Sequence, residues 1–249
     1  MDLGSEPQRY FFMHIPKTAG MSLYHRLVHY HADSLYPLPF DRGRPAAAMD
    51  VDYLASRFHL FRHQIRVVTG HFPLCIEEML GVPFTTFTLL RDPVERTLSF
   101  LRHRKQRTER FRDASLEDVY CDPYLLHGMI HNYMVKVLSM TVSEMRAGVA
   151  TMVAYDVARL ERAKENLEHR IAIFGLQESF DDLCEQLASH FDWDLGGTTS
   201  MFENRTDPLN VSDEFRARIA DDNALDVELF AFANELLDRR QRPAKSPST

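Results

Sequence analysis

Three short stretches of this 249-residue chain combine residue types that can do chemistry. The first is Pro16-Lys17-Thr18-Ala19-Gly20-Met21-Ser22, a lysine among small residues between an apolar run and a helical pattern. A phosphate-type anion needs that combination: free backbone N–H groups, the positive end of a helix dipole and a mobile cation. Gly20 lets the backbone approach closely. A Walker A loop would place glycines at positions 11 and 16 ahead of Lys17-Thr18, whereas this chain has Phe11 and Pro16, which disfavours a standard P-loop ATPase. The plainer alternative is a strand-to-helix turn with a solvated lysine.

The second stretch is Arg91-Asp92-Pro93-Val94-Glu95-Arg96-Thr97-Leu98-Ser99-Phe100. An arginine fork at a strand end, with the Ser99 hydroxyl on the ensuing helix, suits a terminal phosphate. The alternative is that Arg91 pairs with Asp92 or Glu95 as a structural clamp. The third is Thr69-Gly70-His71-Phe72-Pro73, where an imidazole titrating near neutrality is suited to take a proton from a hydroxyl nucleophile.

These residues need elements to position them. Tyr10 to Ile15 reads as a strand buried on both faces, with Ser22 as the cap of a helix running to about His31. Residues 33–49, with three prolines and a glycine, read as a surface loop. Asp50 or Asp52 caps a helix carrying Leu54, Phe58 and Phe61. Further strands are expected at 65–70, 84–90 and 171–175. Further helices are expected at 94–107, from Asp122-Pro123, at 156–168, from Ser179, and around Phe230, Phe232 and Leu236. Strands alternating with helices predict an α/β, P-loop-like three-layer fold with a central, mainly parallel sheet, whose ligands bind beyond the carboxyl ends of the strands. One domain is expected over residues 1–240, with 241–249 as a disordered tail.

The run from His14 to Ser22, followed by Leu90 to Phe100, closely resembles the two phosphosulfate-binding signatures of sulfotransferases that use 3′-phosphoadenosine-5′-phosphosulfate. Within that superfamily it looks most like the heparan sulfate 2-O-sulfotransferase branch and its bacterial relatives. The likeness extends to Leu160-Glu161-Arg162-Ala163-Lys164-Glu165-Asn166-Leu167 and to Phe174-Gly175-Leu176-Gln177-Glu178-Ser179-Phe180. It implies that Lys17, Thr18, Ala19, Gly20, Met21 and Ser22 hold the 5′-phosphosulfate, that Arg91 and Ser99 hold the 3′-phosphate, and that Lys17 stabilises charge on the departing nucleotide. It further implies that His71 is the catalytic base, with Glu77 or Glu78 as the fallback, and that no metal is required. Arg205, in a late loop, is a further candidate for the 3′-phosphate, a plain turn being the alternative. His131-Asn132-Tyr133-Met134-Val135-Lys136 resembles a stretch lining the acceptor side, though Met134 and Lys136 depart from the family's residues.

Composition narrows the setting. Lys plus Arg total 29 against 36 for Asp plus Glu, giving a net charge of −7, so any polyanion must meet a local basic patch. The dense basic run is Arg102 to Arg112, read either as a solvated helix face or as contact with an acidic glycan. Nucleic acid is not expected, since no aromatic platform interleaves that run. His25 and His29, four apart, read as an exposed helical face rather than a metal site. Three widely spaced cysteines, no signal-like amino terminus and no bilayer-length apolar run point to a cytoplasmic protein without a membrane span. The expected partner is a hydroxyl-bearing acceptor, glycan or small metabolite. The alternatives are a divergent P-loop kinase using ATP and Mg²⁺, and a non-catalytic nucleotide- or glycan-binding module.

Overall fold

A computed structural model describes residues 7–148, 151–195 and 211–241. Five strands, β1 (Tyr10–Met13), β2 (Leu35–Tyr36), β3 (Val67–Gly70), β4 (Thr85–Leu90) and β5 (Ile171–Leu176), form one sheet in the order β2-β3-β1-β4-β5. Every neighbouring pair is parallel. Successive side chains of a strand point to opposite faces, so a strand buried on both faces must be apolar throughout. Phe11 and Met13 accordingly pack with Val68 and Leu90 on one face, while Phe12 packs with Val67, Phe87, Leu89 and Ile173 on the other.

The helices are α1 (Gly20–Tyr30), α2 (Pro45–Met49), α3 (Val51–Leu60), α4 (Ile76–Leu80), α5 (Pro93–Arg107), α6 (Leu116–Tyr120), α7 (Pro123–Leu125), α8 (Tyr133–Ser139), α9 (Val142–Arg146), α10 (Val157–His169), α11 (Phe180–Phe191), α12 (Asp213–Asp222) and α13 (Ala224–Gln241). Leu23 and Leu27 of α1 and Leu183 and Leu187 of α11 cover one sheet face. Leu54 and Phe58 of α3, Leu98 and Leu101 of α5, Leu160 and Leu167 of α10, and Leu229 and Leu236 of α13 join the core on the other. The result is the expected three-layer α/β architecture around a parallel sheet.

Local chemistry sets most boundaries. Asp50 caps α3, its carboxylate accepting from the backbone N–H of Asp52 and Tyr53 at 3.0 Å each. Asp92 caps α5 by accepting from the Glu95 N–H at 2.9 Å, with Pro93 at the first helical position. Ser22 does not cap α1. The helix starts two residues earlier, because Lys17 and Ala19 take left-handed φ angles of 71° and 65° and turn the chain at once. Ser22 N–H donates back to the Ala19 carbonyl at 3.0 Å. The stretch 33–49 is not simply a loop. It holds β2, paired through Leu35 and Tyr36 with Val67 and Val68, and α2 opening on Pro45. A two-residue strand has no periodicity to read; its pairing partner creates it. α13 runs through Gln241, one residue past the expected domain end, and the expected tail at 242–249 lies outside the described residues. Among the described residues no helix is long and apolar enough to cross a membrane.

Candidate functional site

The three loops singled out by residue type follow β1, β3 and β4, which are adjacent at the centre of the sheet. Met13 is in register with Gly70 and with Thr88, so the carboxyl ends of these strands lie side by side. Hydrogen bonds then stitch the loops together. His14 N–H donates to the Gly70 carbonyl at 3.2 Å, and Thr88 Oγ1 donates to the Met13 carbonyl at 2.7 Å. Arg91 Nη1 donates to the Lys17 carbonyl at 3.0 Å. The loops carrying Lys17, His71 and Arg91 are therefore joined at the carboxyl end of the sheet.

Within the first loop, the Thr18 hydroxyl is fully buried and donates to the Ile15 carbonyl at 2.9 Å. It holds the loop's shape rather than facing a ligand. Lys17 is half-buried, and burial, then the charges of Arg91 and Arg107, pull its ammonium below the usual lysine range. A solvated turn lysine would show none of this. Ala19, Gly20, Met21 and Ser22 form the cap and first turn of α1, which follows the Lys17 loop directly. Gly20 is required by sterics: a Cβ there would lie 2.1 Å from Cδ2 and 2.3 Å from Nε2 of His14.

His14 and His71 are neighbours. Their ring centroids are 4.7 Å apart, and His14 also stacks on Phe12 at 5.3 Å with an interplanar angle of 9°. Burial, followed by the charges of His71 and Lys17, holds the His14 imidazole well below the usual range, so it is neutral at pH 7. His71 Nδ1 lies 2.8 Å from the His14 carbonyl. A carbonyl only accepts, so Nδ1 carries the proton and Nε2 presents its lone pair. Burial lowers the His71 imidazole as well, partly opposed by that hydrogen bond, which favours the neutral form a base needs. The fallback bases do not reach this place. Glu77 accepts from Thr86 Oγ1 and pairs with Arg170 at 3.2 Å, and Glu78 lies 3.4 Å from Arg170. Thr86 and Arg170 stand near the amino-terminal ends of β4 and β5, so both carboxylates are drawn to the opposite end of the sheet.

Arg91 is not the clamp considered from the sequence. Asp92 is engaged in the α5 cap and Glu95 pairs with Arg216 at 2.7 Å, while Arg91 Nε is buried without a hydrogen-bond partner. Ser99 is nearly buried on α5. Beyond it at helical spacing come Arg102, His103 and Arg107, which share its face. Arg102 acts on Arg91, Arg107 acts on Lys17, and burial together with Lys17, Arg107 and Arg104 pushes the His103 imidazole down to about 4. Arg102 Nε is also buried and unpartnered. The basic run is thus divided, with its Ser99 face turned to the Lys17 loop. Only that i+3, i+4, i+8 spacing from Ser99 marks it in the sequence.

On the other side of His71 lies a pocket bordered by His71, Tyr133, Lys136 and several methionines and valines. Lys136 Nζ donates to the carbonyls of His127 and Thr151 at 3.1 and 2.9 Å, and burial pushes it down to about 8. Arg205 lies outside the described residues. His25 and His29 are exposed on α1, and among the described residues no cluster of three or more His, Cys, Asp and Glu is placed to hold a metal. Cys75 and Cys184 are buried, and Cys121 is exposed; none is paired in a disulfide. No protein-family model matches the chain, and no curated protein sequence matches it.

Proposed function

We propose that this chain is a sulfotransferase that moves a sulfuryl group from 3′-phosphoadenosine-5′-phosphosulfate to an acceptor hydroxyl. One observation supports the reading: the loops carrying Lys17, His71 and Arg91 follow three adjacent parallel strands and are hydrogen-bonded to one another, and Ser99 lies on the helix that follows the third. The residues present suit a nucleotide with anionic groups at both its 3′ and 5′ positions. Buried guanidinium nitrogens of Arg91 and Arg102 have no hydrogen-bond partner, and the first turn of α1 follows the Lys17 loop directly.

In this reading Arg91, Ser99 and Arg102 hold the 3′-phosphate, and the loop from Lys17 to Ser22 holds the phosphosulfate. His71 Nε2 takes the acceptor's hydroxyl proton as its oxygen bonds to sulfur. The bond from sulfur to the bridging oxygen breaks, and Lys17 stabilises the charge that develops there as adenosine 3′,5′-bisphosphate leaves. Sulfuryl transfer of this kind is catalysed by positioning and by fixed cations, and no residue set for a metal is called upon. The setting of the reading is cytoplasmic.

The test is a thermal-shift titration. Adenosine 3′,5′-bisphosphate at about 100 times its Kd should stabilise the protein by about 2.7 kcal/mol, and ATP with Mg²⁺ should not. His71→Ala should keep that response and lower turnover by about 10²–10⁴-fold. Stabilisation by ATP and Mg²⁺ alone would replace the reading with a kinase, and full turnover in a folded His71→Ala protein would remove His71 as the base.

A further inference from the structure

We infer that the acceptor is a small molecule whose hydroxyl sits on an apolar body, rather than a polyhydroxylated or polyanionic glycan. This rests on the assignment of His71 as the base, and it goes further by giving the substrate's chemical class.

His71 stands between two unlike surroundings. On one side is the His14 imidazole, 4.7 Å away between ring centroids, on which the charge of Lys17 also acts, and Arg91 holds the Lys17 carbonyl. On the other side, the pocket that His71 borders is lined by Met49, Val51, Pro73, Val137, Met140 and Met145. Val137, Met140 and Met145 are buried, and Met49 is 46% exposed at the rim. The cation in this wall, Lys136, is held by the carbonyls of His127 and Thr151. A charge tied to backbone in this way does not offer itself to a carboxylate or sulfate on an acceptor.

Two consequences follow. A sugar ring placed beside His71 would set most of its other hydroxyls against methionine and valine side chains, where they lose water and, the Tyr133 hydroxyl apart, gain no side-chain partner. An aromatic or aliphatic body loses nothing there. The pocket has a free volume of about 40 Å³, and its flexible thioethers can move aside to widen it around such a body. The hydroxyl then meets His71 Nε2, which accepts its proton as the oxygen–sulfur bond forms and the bridging bond breaks.

Calorimetric binding of two probes, 2-naphthol and methyl α-glucopyranoside, tests this in the full chain with and without adenosine 3′,5′-bisphosphate. The expected result is that 2-naphthol binds at least 10-fold tighter than the glucoside. Met49→Asp at the rim and Met140→Gln deeper in should each weaken 2-naphthol by about 10-fold and leave bisphosphate affinity unchanged, with the melting temperature kept in the first and lowered in the second, which buries an amide. Because Met49 is exposed, its variant keeps the test valid if the buried one fails to fold. Equal or tighter binding of the glucoside overturns the inference, as does unchanged 2-naphthol affinity in the folded variants. If the bisphosphate does not bind but 2-naphthol does, with the same dependence on Met49 and Met140, the apolar pocket stands and the sulfotransferase reading falls.

Discussion

The substitution Gly20→Ala isolates the packing around the Lys17 loop. An added Cβ would meet His14 Cδ2 at 2.1 Å, and ordinary contact begins near 3.4 Å, so something must move by about 1.3 Å. The His14 ring has little room to do so. It is stacked on Phe12, which is stacked in turn on Phe87 at 5.4 Å, and its other side meets His71 at 4.7 Å. Overpacking a close-packed site of this kind costs about 1–3 kcal/mol. For a chain of this length that lowers the melting temperature by about 2–12 °C. If the amino end of α1 moves instead, a misplacement of about 1 Å lowers turnover by about 100-fold. Differential scanning fluorimetry, bisphosphate titration and turnover of Gly20→Ala read the two outcomes separately. The decisive comparison adds His14→Ala, which removes the ring but keeps the backbone carbonyl that orients His71. The double variant should recover most of the lost melting temperature. Effects that add to within about 0.5 kcal/mol, or a Gly20→Ala protein with native stability and affinity, would show that contact with His14 is not what reserves this position for glycine.

Other expectations can be checked with the same material. Arg91→Ala removes a charged donor set with one buried unpartnered nitrogen, and bisphosphate binding should weaken by about 10–150-fold, as expected for loss of about 1.5–3 kcal/mol; an unchanged Kd would contradict its role. Stability should also depend on His103. Its folded value of about 4 lies below the ordinary 6.5, so the unfolded chain binds the extra proton and the contribution, complete above pH 6.5, is lost as pH falls towards 4. Asp226, raised to about 6 by burial, works in the opposite direction over the lower part of that window, and His31, also pushed down to about 4, works in the same direction as His103. Melting curves from pH 7 to 4.5 should therefore show a shallower fall for His103→Gln than for the native chain, and identical slopes would rule out its contribution.

Much of the fold was readable because both sheet faces are covered. Apolar runs such as Tyr10 to Met13 and Thr85 to Leu90 stand out only when neither face meets water. Caps are legible for a similar local reason at Asp50 and Asp122, which lie next to the N–H groups they satisfy, whereas Asp92 reads only as a partner for Arg91. β2 is not legible, since its pairing with Val67 and Val68 is made by residues more than thirty positions away. The three loops stand out by residue type, and the strand order sets them side by side: β3, β1 and β4 are neighbours, so the loops that follow them lie at the same end of the sheet. The part that stayed hidden is which way side chains lean. Glu77 and Glu78 follow His71 by only six and seven residues, yet Arg170 and Thr86 draw them to the far end of the sheet. Likewise, Arg102 and Arg107 read as surface charge until α5 lies across the Lys17 loop.

The Lys17 loop holds its shape without Walker A glycines. Left-handed backbone at Lys17 and Ala19 costs about 1–3 kcal/mol at each non-glycine residue and persists only where surrounding contacts over-determine it. Two contacts do so here. Thr18 Oγ1 fastens the loop to the Ile15 carbonyl behind it, and Arg91 Nη1 fastens the Lys17 carbonyl from the next strand. Arg91 therefore has one task the structure shows, holding the Lys17 carbonyl through Nη1, and in the proposed function a second one, towards an anion, through its remaining nitrogens. A lysine at 91 could serve as a point charge but could not hold a carbonyl and a phosphate in one fixed fork. The separation of those tasks follows from guanidinium geometry, and it is why the loops after β1 and β4 act as a single unit although 74 residues separate Lys17 from Arg91.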